Sequence, residues 1–117
     1  MKMKEIIFYC TASGRCPVEE FLDSINDKQV QKILWVLRLI RDLEFIPKEY
    51  FKKLVNTKDI WETRVRSGNN IFRILGFFDD DQFIVLTNGF AKKSQKTPRK
   101  EIIFAEQRKK DYLKRKK

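Results

Sequence analysis

The stretch "IWETRVRSGNNIFRILGFFDDDQFIVLTNGF", residues 60–90, limits what this chain can fold into more than any other. Two turn clusters, "SGNN" and "DDD", cut it into three runs rich in β-branched and aromatic residues. Gly, Asn and Asp supply the conformations that reverse a strand, so the pattern predicts strands over 60–66, 70–78 and 82–90 joined as hairpins.

Upstream, "KEIIFYC" (4–10) has the composition of a short strand. Cys16 stands at an N-cap position, Pro17 suits the first helical turn, and Glu19 and Glu20 suit the positive end of the helix dipole. Val18, Phe21, Leu22 and Ile25 then recur at helical spacing. Asn26 or Asp27 caps a longer helix to about Glu44, with Val30, Ile33, Leu37 and Ile40 on its core face and Val36, Leu43 and Leu34 widening it. Trp35 falls on the polar side of that helix, where it either marks a partner surface or is covered by another segment. Thr97 as N-cap and Pro98 start a last helix that runs toward Leu113 and frays into a basic tail from about residue 114. The expected order is β-α-α-β-β-β-α in a single α+β domain over 1–117.

Charge is unevenly spread. From Ala91 onward twelve Lys/Arg face three acids, whereas residues 1–90 carry fourteen against thirteen. An anionic partner met near the C-terminal end is implied, nucleic acid first and an acidic protein second. The opening apolar run is too short for a signal peptide, and no stretch is long enough to span a membrane. Cys10 and Cys16 are expected as reduced thiols in a cytoplasmic protein. With no histidine and two cysteines, neither a metal site nor a cofactor is expected, and catalysis has no imidazole to rest on.

Alternation along the first hairpin puts Glu62, Arg64 and Arg66 on one face and Trp61, Thr63 and Val65 on the other. A turn centred on Gly68–Asn69 pairs Ser67 with Asn70 and so sets Arg64 directly against Arg73. Like charges in such a pair destabilise a sheet by up to about 1 kcal/mol, so either Glu62 neutralises them or the pair serves phosphate. On the second reading, replacing either arginine leaves the fold intact or slightly more stable. Lys52 and Lys53 precede the hairpin, Lys92, Lys93 and Lys96 follow the last strand, and both groups are expected at the same end of the sheet. With Arg66, Asn70 and Arg99 they form the expected RNA-binding footprint.

"ASGRCPVEEFLDS", "IWETRVRSGNNIFRILGFF" and "NGFAKKSQKTPRKEIIFAEQRKKDY" together resemble the RelE/ParE toxin superfamily, its phage-derived HigB-like branch most of all. The likeness runs from about residue 5 to Tyr112. It implies a compact fold with a largely antiparallel sheet, helices packed on one face, and an open basic concavity. It also implies a toxin of a type II toxin–antitoxin module, with a helix-turn-helix antitoxin as partner. HigB-like members cut mRNA in the ribosomal A site; ParE-like members poison gyrase without cutting nucleic acid. Carried over, Arg64 and Arg73 fall where the family places active-site arginines, and Lys92 and Lys93 fall at the basic lip. Asn88 stands where many relatives have histidine. The chemistry agrees, since RNA brings its own 2′-OH nucleophile, arginines can stabilise the phosphorane, and a lysine crowded by cations can move protons.

The expectation is a metal-independent, ribosome-dependent endoribonuclease with Arg64, Arg73 and Lys92 as catalytic residues and Trp35 as an antitoxin contact. A gyrase-inhibiting toxin and a plain RNA-binding module stay open. Aromatic residues for base stacking are few on the face expected to be basic.

Overall fold

Strands form where the turn clusters require them. In the computed structural model, which describes residues 4–92 and 96–116, the meander consists of β3 (Trp61–Ser67), β4 (Asn70–Asp79) and β5 (Phe83–Ala91). β1 (Glu5–Phe8) lies parallel to β5, and β2 (Phe51–Lys53) lies antiparallel to β3, giving one five-stranded sheet in the order β1-β5-β4-β3-β2. The sheet is mostly antiparallel and the fold is α+β, as expected. β2 is an addition, a short edge strand formed by the "FKK" that follows "FIPKEY".

Three helices complete the chain: α1 (Pro17–Asp23), α2 (Asp27–Asp42) and α3 (Arg99–Lys116). Pro17 opens α1 behind Cys16. Asn26 opens α2 with a capping box: the Gln29 amide donates to Asn26 Oδ1 at 2.8 Å, and the Asn26 amide donates to Gln29 Oε1 at 3.2 Å. Ile33, Val36, Leu37 and Ile40 of α2 are buried against Val65, Phe72, Ile74, Ile84 and Leu86, together with Val18 of α1.

Helix placement departs from expectation. α1 and α2 cover one face, but α3 packs on the other, where Ala105 and Ile102 meet Ile60, Leu75 and Phe90. Ile74 and its neighbour Leu75 point to opposite faces and both are fully buried, so the central strand needs cover on both sides. The end of α3 also departs from expectation, because it stays helical through Lys116. Arg115 pairs with Asp111 at 2.8 Å, Lys116 pairs with Asp79 at 2.8 Å, and the Tyr9 hydroxyl donates to Asp111 at 2.6 Å.

The two cysteines are not separate thiols. The loop between β1 and α1 turns back on itself, with the Thr11 amide donating to Arg15 O at 2.7 Å and the Gly14 amide donating to Thr11 O at 2.9 Å. That turn brings the Cα atoms of Cys10 and Cys16 to 4.1 Å, and the sulfurs are joined as a disulfide. No helix among the described residues is long and apolar enough to cross a membrane.

Candidate active site

β3 and β4 pair as the hairpin turn dictates: Ser67 opposite Asn70, Arg66 opposite Ile71, and Arg64 opposite Arg73. The repulsion this creates is answered by Glu62, two residues along the same face. Its carboxylate is fully buried; Arg73 Nη1 donates to Oε2 at 2.8 Å, and Arg64 Nε lies 3.4 Å from Oε1. Thr97 closes the cluster. Its hydroxyl accepts from Arg73 Nη1 at 2.9 Å and donates to Glu62 Oε2.

Two expectations change here. Thr97 does not cap α3 with its side chain, because that side chain is committed to Glu62 and Arg73. Nor are the arginines equivalent: Arg73 is 2% exposed, whereas the Arg64 side chain is 31% exposed and reaches an open cleft. Burial of Arg73 argues against the expectation that its removal would leave the fold intact or firmer, since removal takes the closest cation from a buried carboxylate.

The cleft, ≈ 570 Å³, opens beyond the end of β2, where the short edge strand stops covering β3. Arg64 and Arg66 of β3, Ile71 of β4 and Lys92 line it on the sheet side; Lys32 of α2 with Glu49 and Tyr50 line it on the other. The Lys92 amide donates to Ile71 O at 2.7 Å, which holds the chain at the lip. Desolvation pushes the Lys92 ammonium below the ordinary lysine range, and the nearby charges of Arg73, Arg64 and Arg66 push it the same way, against an opposing pull from Glu62. Arg73 thus acts on the cleft through its field and through Glu62, without facing it.

The remaining expected contacts are dispersed. Lys53 lies opposite Trp61 at the start of β3 and pairs with Asp59 at 2.7 Å, while Lys92 sits beside Ile71, toward the other end of the hairpin. Lys53 and Lys92 therefore do not share an end of the sheet. Lys52 is exposed on the edge strand, Asn70 is exposed at the hairpin turn, and Arg99 is exposed at the start of α3. Lys96 is exposed in the loop before α3, and Lys93 lies outside the described residues. Asn88 is buried away from the cleft: its Nδ2 donates to Glu101 Oε1 at 2.9 Å and Glu101 O at 3.2 Å, fixing α3 to the sheet. Among the described residues no group of three or more carboxylate, Cys or His side chains is arranged to hold a metal ion.

Sequence reasoning missed the other side of the cleft. Tyr50 lines it, and Trp35 meets Tyr50 edge-on with ring centroids 6.2 Å apart. Lys32 lies 4.9 Å from the centre of the Trp35 ring. Trp35 remains 43% exposed, so it is both partly covered and partly available. Neither Tyr50 nor Lys32 carried a periodic signal, because their approach depends on how the irregular 43–50 segment returns to the sheet.

Residues 20–110 match the family of phage-derived proteins described as Gp49-like (DUF891). The chain belongs to the Gp49-like family. Gp49-like proteins fall in the RelE/HigB-like toxin group of toxin–antitoxin systems, and this membership implies a cognate antitoxin. No curated protein matches the chain significantly.

Proposed function

We propose that this Gp49-like toxin belongs to the HigB-like branch and is an endoribonuclease that cuts mRNA in the ribosomal A site. One observation carries the reading: Arg64, Arg66 and Lys92 line a single open cleft, and Lys92 is held below the ordinary lysine range there. In the proposed step the 2′-oxygen attacks the adjacent phosphorus, the bond to the 5′-oxygen breaks, and a 2′,3′-cyclic phosphate forms. The 2′-hydroxyl proton passes to water, and Lys92 gives a proton to the departing 5′-oxygen. Arg64 and Arg66 hold the non-bridging oxygens, on which charge grows.

Arg73 is a positioning residue on this reading, anchoring the carboxylate that orients Arg64. Lys52, Asn70, Lys93, Lys96 and Arg99 serve as outer RNA contacts. Acid–base assistance of this kind is worth about 10²–10⁴-fold, so orientation of the strand falls to the ribosome. The antitoxin docks on the exposed edge of α2 at Trp35, with the arginines left open to solvent.

Mapping new 5′ ends in cellular mRNA after a pulse of expression tests the activity. Cuts inside translated codons, absent for Arg64→Ala, are expected. Growth arrest with intact mRNA and gyrase-dependent DNA breaks would replace the nuclease with a gyrase poison.

A further inference from the structure

Glu49 is out of place in a cleft for phosphate. It shares that cleft with Lys32, Arg64, Arg66 and Lys92, yet it forms no ion pair among the described residues. A carboxylate there repels the RNA backbone, so its value must lie in another part of the nucleotide. Next to it in the chain, Tyr50 lines the same cleft and is backed edge-on by Trp35 at 6.2 Å. An aromatic residue beside an acceptor without an ion pair, in one cleft with two arginines and two lysines, has the parts of a nucleotide site: a surface for the base, an edge reader, and cations for the phosphate.

We propose that Glu49 and Tyr50 form a base-selecting subsite for guanine in the RNA strand whose phosphate meets Arg64 and Arg66. This inference rests on the RNA-cutting reading of the cleft. The choice of base follows from hydrogen-bond inventory. An ionised carboxylate only accepts. Guanine offers two adjacent donors, N1–H and the N2 amino group, on its Watson–Crick edge, which match both carboxylate oxygens. Adenine and cytosine offer one amino donor beside a ring acceptor that repels the carboxylate. Uracil offers a single N3–H between two carbonyls. Tyr50 supplies stacking for any base, so Glu49 sets the preference and Tyr50 the general affinity.

Binding of fluorescent 2′-O-methyl pentanucleotides UUXUU, with X as each of the four bases, separates base reading from cutting because the blocked 2′-oxygen cannot attack. The wild-type toxin should favour X = G over X = U by about tenfold or more, the value of one bidentate base contact. Glu49→Gln, which adds a donor, should bring that ratio close to one. Tyr50→Ala should weaken all four by about tenfold, and Tyr50→Phe should restore them. A G-to-U ratio that is one in the wild type, or that Glu49→Gln leaves unchanged, overturns the proposal even if mRNA is cut. A Glu49-dependent preference in a protein that never cuts RNA supports the subsite and refutes the nuclease. Failure to bind any pentanucleotide, with no cutting, overturns both.

Discussion

Arg64 and Arg73 stand opposite each other across β3 and β4 and share one carboxylate, that of Glu62, at 3.4 and 2.8 Å. The pair is therefore a buried anchor and a half-buried cation on one counter-ion. Two positive charges on one carboxylate leave the cluster net cationic, which suits a phosphate at Arg64 while keeping Arg73 compatible with burial.

Removal of the anchor should be costly. Arg73→Ala leaves the buried Glu62 carboxylate with only the longer contact to Arg64 and the Thr97 hydroxyl, with an expected loss of up to about 3–5 kcal/mol in chemical denaturation. Glu62→Gln combined with Arg73→Met should recover much of it, because no buried charge is left without a partner. Arg64→Ala, at a side chain 31% exposed, should cost less than about 1 kcal/mol. Equal losses for the two arginines would refute the asymmetry.

On the proposed mechanism, Lys92 should set the pH dependence of cleavage. The ammonium is the form that donates a proton, so cleavage should fall as pH rises through the Lys92 pKa. Desolvation and the neighbouring arginines depress that pKa, placing the fall below the ordinary lysine value of about 10.4. Lys92→Arg stays charged but does not release its proton, so it should abolish the alkaline limb and lower the rate by about 10²–10⁴-fold. A limb that survives in Lys92→Arg would assign the titration to another group.

Salt should weaken RNA binding steeply, given the concentration of basic residues after residue 90. Neutralising Lys92, Lys93 and Lys96 together should reduce the log–log salt slope by about 2, close to 0.7 per single-strand phosphate contact. Lys116 is already held by Asp79, and Arg115 by Asp111, so the far end of α3 is the weaker source of contacts. An unchanged slope would nevertheless give them to that end.

Trp35 is proposed as the antitoxin anchor, and its exposure of 43% leaves enough surface for one. Antitoxin binding should change the fluorescence of a Trp61→Phe toxin when the antitoxin lacks Trp, and Trp35→Ala should weaken the complex by about 2 kcal/mol. No spectral change and unaltered affinity would remove α2 from the interface. Because Trp35 abuts Tyr50, which lines the cleft, a partner anchored at Trp35 would sit close to the cleft wall.

The hairpin register was legible in the sequence because one turn of fixed length dictates every pair behind it, down to Arg64 against Arg73. The pattern around Asn26 and the apolar spacing of Ile33, Leu37 and Ile40 likewise announced α2. The opposite placement of α3 was legible in principle: "IFRILGFF" is nearly unbroken apolar, the mark of a strand covered on both faces. What could not be read was tertiary. Burial of Arg73 depends on Thr97 arriving from a loop 24 residues later, and Tyr50 joins the cleft only because β2 is too short to cover the end of β3. The disulfide depends on a local turn at 11–15, which neither cysteine encodes by itself.

Cleavage on purified ribosomes programmed with a defined mRNA puts the proposed chemistry to the test. Wild-type toxin should yield fragments ending in a 2′,3′-cyclic phosphate, and Arg64→Ala should slow their formation at least about 10²-fold, in the range seen when one transition-state charge donor is lost. Full-rate cutting by folded Arg64→Ala, or fragments with 3′-hydroxyl ends, would contradict it.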